Sequence, residues 1–328
     1  MRLIVGTDRG VRVLRWVKGE RAASPLVRTL EAERIRAGSV RDGLVYLGTA
    51  SGKVFVSADR GSSWESRHEG LECEAVCSLA TGRGAGAGLY AGTEPAAIFR
   101  LDEGAASWHE LEAFGALEEG EEWRGYADRR AHVQTLLVDP HADRRLYAGV
   151  EVGGAYASED YGRSWHVIGD GLYEDVHVLA VDPQRGSRVY AATGGGLYWS
   201  ENRGLTWTQH AGEVGSLYNT ALLARADRTG RTVLYLATAG GTPATWTRTG
   251  AQARLHVSRD GGVTWEEATI GAQRFRRNAY PVIVPDLEDP EGAFVATGGG
   301  SVYHGTRSGE FWVRIYRGGE TIGTLLAV

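Results

Sequence analysis

One short pattern, repeated seven times, constrains this chain more than any other feature. Leu3 to Thr7, Val45 to Thr49, Leu89 to Thr93, Leu146 to Val150, Val189 to Thr193, Leu234 to Thr238 and Ala293 to Thr297 align as the same five-residue segment. An aromatic residue or isoleucine stands at positions 4, 46, 90, 147, 190, 235 and 294, so the intervals are 42, 44, 57, 43, 45 and 59. Each copy alternates as a half-buried strand does, and the spacing suits a repeating unit of four short strands, with insertions in two units. The 47 Gly, 10 Trp and 14 Tyr against a single Met describe many tight turns and many packed aromatics, which favours an all-β chain.

A second motif follows four of these strands: Ser57 to Trp64, Ser158 to Trp165, Ser200 to Trp207 and Ser258 to Trp265, starting 11, 11, 10 and 23 residues beyond the repeat's aromatic. Asp or Asn at its third position accepts bonds from nearby backbone N–H groups, Gly supplies a positive φ, and Trp packs beside the neighbouring strand. Degenerate copies run from Leu101 to Trp108 and from Gly305 to Trp312, where Arg307 replaces the Asp, and the first unit keeps only Trp16. The pattern resembles the Asp box of the sialidase-like (BNR-repeat) propellers, Ser-x-Asp-x-Gly-x-Thr-Trp. The resemblance implies a β-propeller in which the box is a structural clip between the third and fourth strands of a blade, on the face away from any ligand.

The expectation is therefore an all-β, seven-bladed β-propeller occupying residues 1–328 as a single domain. Leu3 to Val5 begins at a second strand that lacks a first, and Thr321 to Val328 reads as an inner strand with no blade to follow. The C-terminal strand is expected to complete blade one and close the ring, which removes an open sheet edge.

In such a ring the turns between strands two and three share a face with the links from blade to blade. Both insertions, Ala113 to Ala131 and Thr242 to Arg254, project from it, and loops on a rigid scaffold carry function. The segments leading into the inner strands are polar: Arg36, Glu74, Arg130, His132, Glu174, Asp175, His177, Tyr218, Asn219, Arg276, Asn278, Tyr280 and Thr321, joined by Asp8, Glu94 and Glu151 from the turns. Polar residues are also expected wherever inner strands line a wet channel. Arg36, Arg130, His132, Asn219, Arg276, Asn278 and Tyr280 are the candidate ligand-binding residues. Trp123, Tyr126 and Trp246 are candidate anchors for a protein partner. Arg274, Arg276 and Arg277, with Arg124, Arg129 and Arg130, suit a carboxylate or phosphate held by bidentate pairs.

Several classes are excluded or disfavoured. A formal net charge of −5 argues against a general binder of nucleic acid. The longest apolar runs are too short to cross a bilayer, and the N-terminus has no signal pattern, so the expected location is the cytoplasm. Cys73 and Cys77, four apart in an extended segment, lie roughly 13 Å from each other, beyond disulfide reach. They also lack the spacing of a zinc site. His132, His177 and Asp175 have no diagnostic metal spacing, so no metal and no cofactor is expected.

The resemblance implies two kinds of activity. Sialidases of this kind carry an Arg-Ile-Pro motif, whereas here Arg34-Ile35 is followed by Arg36; xyloglucan-cleaving relatives hold their substrate between two propellers, and this sequence has one. Relatives such as photosystem assembly factors and sortilin-type receptors bind proteins or peptides without catalysis. The favoured reading is a non-catalytic propeller that binds a protein partner or a small polar ligand, anions included, on the insertion-bearing face. The alternative is a glycoside-active hydrolase or lyase with a carboxylate pair at the mouth, drawn from Glu174, Asp175, Glu74, Glu94 and Glu151, with His177 beside them.

Overall fold

Each copy of the strand repeat forms the second strand of a four-stranded antiparallel sheet, and there are seven such sheets. The computed structural model describes residues 1–84, 88–117, 123, 130–212, 214, 217–246, 250–268 and 282–328. Blade one is built from Ile322–Ala327, Arg2–Thr7, Gly10–Arg15 and Ser24–Thr29, so the C-terminal strand supplies its inner strand, as expected. The other inner strands are Ile35–Arg41, Ala75–Thr81, Val133–Val138, Val176–Val181, Tyr218–Ala226 and Val282–Pro285. Each packs against the next, and the seventh returns to the first. The chain is a seven-bladed β-propeller.

The second strands are more deeply placed than their alternation implies. Leu146–Val150 and Val189–Thr193 are buried at every residue, because a blade is covered on both faces by its neighbours. The repeat's aromatic packs towards the following blade: Tyr90 joins the core shared with blade four, Tyr147 that shared with blade five, and Tyr235 that shared with blade seven. Two residues on, the repeat's glycine lies on the same face. There the next blade comes so close that no side chain fits. A Cβ on Gly6 would lie 2.6 Å from Ile35, on Gly48 2.5 Å from Val76, on Gly92 2.6 Å from Val133 and on Gly149 2.7 Å from Val176. In each case the neighbour is a β-branched residue near the start of the next inner strand.

The second motif forms the expected clip. The Asp59 carboxylate accepts bonds from the Ser57 hydroxyl at 2.8 Å, from the Ser62 and Ser63 N–H groups at 2.8 and 2.9 Å, and from the Ser63 hydroxyl at 2.7 Å. These bonds, the Ser63 N–H foremost, hold its pKa down to about 2. Asp160, Asn202 and Asp260 repeat the pattern with Ser158, Ser200 and Ser258. The turn needs two consecutive left-handed residues, Arg60 at φ 58° and Gly61 at φ 88°, which is why glycine occupies the second. The clip tryptophans reach back to the preceding blade: Trp64 Nε1 donates to Thr29 Oγ1 at 2.9 Å and Trp108 Nε1 to the Arg67 carbonyl at 2.7 Å.

Two outcomes follow for stability. Gly48→Ala drives a methyl into Val76 and should cost about 1–3 kcal/mol, whereas Gly48→Ala combined with Val76→Ala should recover much of that loss; thermal denaturation of the three proteins measures the coupling. Asp160→Ala should lower stability by about 1–2 kcal/mol, while Asp160→Asn should be nearly neutral, because Asn202 already fills the same role in blade five.

Candidate functional site at the channel mouth

The seven inner strands surround an axial channel, and six of them share one irregularity. Register slips by a residue near the start of each: between the partners of Ile322 and Thr324, Ile35 and Ala37, Val76 and Ser78, Val133 and Thr135, Val176 and Val178, and Asn219 and Ala221. The skipped residues are Gly323, Arg36, Cys77, Gln134, His177 and Thr220. A β-bulge kinks its strand and re-aims the extra side chain. Five of these six line a cavity of about 400 Å³ on the axis, to which every inner strand contributes. Arg34, Asp8 and Thr321 complete its rim, and Val178, Leu222 and Ile283 add apolar wall.

The sixth bulge residue, His177, is buried and bonded instead. Its Nδ1 donates to the Asn219 carbonyl and its Nε2 lies 3.1 Å from Asp175 Oδ1. Burial opposes a charged ring, but the Asp175 carboxylate, the Asn219 carbonyl and the nearby Glu151 charge outweigh it and raise the His177 pKa. Tyr218 packs against the ring at 4.8 Å, and Trp246 meets Tyr218 edge-on at 5.9 Å.

The other acids of the mouth are also held by bases. Glu151 lies 2.7 Å from His132 Nε2, which is also 3.0 Å from Gln134 Oε1. Arg36 of blade two donates to Glu94 of blade three at 3.0 Å, with both side chains largely buried. Arg130 meets Glu74 at 3.4 Å in an exposed pair, which adds little. Glu174 is exposed, and its carbonyl caps the Gly153 and Gly154 N–H groups of the preceding blade. Asp175, Glu151, Glu94 and Glu74 therefore sit in separate acid–base pairs, while Glu174 is exposed without one among the described residues, and Asp175 and Glu151 are near enough to act on one histidine. Among the described residues, no group of three or more His, Cys, Asp or Glu is arranged to hold a metal.

The candidate anchors occupy different settings. Trp123 is half-buried against Phe114 and Tyr156, and its Nε1 donates to the Tyr156 hydroxyl at 2.6 Å, tying the insertion to blade four. Trp246 is half-buried, with Nε1 donating to the Gly241 carbonyl at 3.0 Å. Arg276, Asn278, Tyr280 and Tyr126, with Arg124, Arg129, Arg274 and Arg277, lie outside the described residues. Sequence reasoning missed Arg34, Cys77, Gln134 and Thr220 as cavity residues. For Cys77, Gln134 and Thr220 the available signal was the second or third position of the inner strand, but reading it requires knowing that the strand bulges there.

Solved structures that resemble this fold include two GH74 proteins and YCF48. An ancestral GH74 enzyme matches at a TM-score of 0.65 and 18% identity, over 89% of this chain and 38% of that one. The GH74 xyloglucanase from Xanthomonas campestris matches at 0.69 and 18%, over 95% of this chain and 52% of that one. YCF48 bound to D1 peptide matches at 0.59 and 18%, over 89% and 85%. The chain thus spans about half or less of the two GH74 proteins. At this identity the likeness shows the propeller fold. No protein-family model matches the chain, and no curated protein matches it by sequence.

The raised His177 pKa fixes the sign of a pH effect. Stability contributed by the charged ring is fully present below the unfolded value of about 6.5 and is lost as pH rises through the higher folded value. Asp175→Asn removes the partner, so the thermal midpoint should fall below that of the unaltered protein by more at about pH 6 than at about pH 9.

Proposed function

We propose that this chain is a single-domain propeller of the Asp-box kind that binds a protein partner without catalysis, seating a carboxylate-bearing segment at the channel mouth. The observation that carries the reading is the division of charge there. Asp175, Glu151, Glu94 and Glu74 are each engaged with a base, while Arg34 is exposed at the rim and makes no ion pair among the described residues. Arg36 gives one donor to Glu94 and keeps others in its planar fork for a ligand. Arg34 and Arg36 on the rim, where Asp8 accepts a bond from the Thr321 N–H, stand over a partly apolar cavity and suit a side-chain or terminal carboxylate of a peptide. The likeness to YCF48 bound to D1 peptide supports a peptide as the kind of ligand. The four Asp or Asn clips support the family resemblance, and Cys73 and Cys77, which form no disulfide with each other, suit a reducing compartment such as the cytoplasm.

A second reading, a glycoside-active enzyme, draws on the likeness to two GH74 proteins. It requires two carboxylates facing one another across a substrate, one of them protonated at neutral pH. Glu174 with Glu151 or Asp175 are the residues it would use.

Reducing-end release from xyloglucan and β-glucan oligosaccharides separates the two. The binding reading expects none from the intact protein, and release abolished by Glu151→Gln would sink it. In parallel, a labelled peptide ending in Asp-Glu should bind more tightly than its C-terminal amide counterpart with Asn-Gln in those positions, and Arg34→Ala should weaken its binding about tenfold.

A further inference from the structure

The outer strands divide the seven blades into two groups. In blades two to six they are two residues long: Glu65–Ser66, His109–Glu110, His166–Val167, Thr208–Gln209 and Glu266–Glu267. Such short edges offer nothing for another strand to pair with. Blade one ends in the six-residue Ser24–Thr29, where Pro25 has no N–H to donate, which blunts that edge. Blade seven ends in the seven-residue Phe311–Arg317, and no proline interrupts it.

The blade-seven edge is closed at one end only. The Ile315 carbonyl accepts a bond from the Ala23 N–H of blade one at 2.7 Å, next to the bulge between the partners of Val302 and Tyr303. Among the described residues, Phe311 to Arg314 make no backbone bond to any strand beyond their own blade. Phe311 is 54% exposed and Val313 50% exposed, two large apolar side chains one residue apart on a sheet edge. Arg307 lies over the Phe311 ring at 5.2 Å. Arg314 and Arg317 are exposed beside them, as are Arg21 and Arg28 on the adjoining blade one, where Arg15 pairs with Glu20 at 3.6 Å; Glu310 is exposed immediately before the strand. This is a basic margin on a chain whose formal net charge is −5.

We propose that the outer edge of blade seven, from Phe311 to Arg314, is a docking edge for an extended acidic segment of a partner protein, which adds to the blade as a fifth strand. Main-chain bonds to the open edge would provide affinity, apolar side chains of the segment would cover Phe311 and Val313, and its acidic residues would face Arg314 and Arg317. The inference is independent of the channel mouth, which lies at the axis of the ring.

The test uses the intact protein and two fluorescein-labelled peptides, acetyl-Glu-Val-Glu-Val-Glu-Val-Glu and the same peptide with Lys for Glu, read by fluorescence anisotropy. The acidic peptide should bind at least about tenfold more tightly than the basic one, and Phe311→Glu or Val313→Glu should weaken it about tenfold or more. Val167→Glu, on the two-residue edge of blade four, should leave it unchanged, as should Arg34→Ala at the mouth. Equal binding of the two peptides, no binding of either, or indifference to Phe311→Glu and Val313→Glu would each overturn the proposal. So would a dimer seen by light scattering that Val313→Glu dissolves, because the edge would then belong to a second copy of this chain.

Discussion

The closeness of one blade to the next, set by a glycine facing a β-branched side chain, is the contact on which the rest of the ring depends. Gly6, Gly48, Gly92 and Gly149 leave room for Ile35, Val76, Val133 and Val176. Each of these branched residues stands immediately before a bulge. Blade five carries Ala192 in the glycine position, and there the following inner strand has Asn219 in place of the branched residue. Repeat proteins gain much of their stability from such neighbour-to-neighbour interfaces, so a methyl at one joint disturbs two blades at once.

The same joint shapes the mouth. In six of the seven blades the inner strand bulges, turning one residue out of the ladder, and five of those six residues line the cavity. The bulge residues differ in charge and size, from Arg36 through Gln134 to Gly323, although the backbone beneath them repeats. The chemistry that results balances charge: acids and bases meet in adjacent pairs.

Most of the architecture was legible in the chain. The spacing of Tyr46, Tyr90, Tyr147, Tyr190 and Tyr235 marks the blades, and the clip motif marks the turns, because both are local patterns tied to a period. Ring closure by the C-terminal strand could be inferred from the unmatched segments at the two ends. The grouping of the site was not legible. That His177 would turn inward to Asp175 and Asn219, while Arg36 stays at the cavity, depends on how individual bulges direct their side chains. Glu74 and Glu94 look alike as acids near blade three, yet one sits in an exposed pair and the other in a largely buried one. That difference is set by neighbouring blades, which the local sequence does not record.

Closure has a consequence at the rim as well as at the axis. Completing blade one with a strand from the far end of the chain brings blades one and seven together as the first and last sheets, and the Ala23 to Ile315 bond spans that junction. Trp16, Phe294 and His304 fill the space beneath it, with ring centroids 4.3 to 5.4 Å apart, and the buried Asp286 holds His304 at 2.9 Å. This packing holds the junction without the tryptophan clip that spans the joint from blade one to blade two. The outer strands of blades one and seven run three times the length of the others or more. A long outer strand leaves more backbone unpaired at its outer edge, and at blade seven neither proline nor a shortened strand protects it. The joint that completes the ring is therefore also where the ring is most open to another chain.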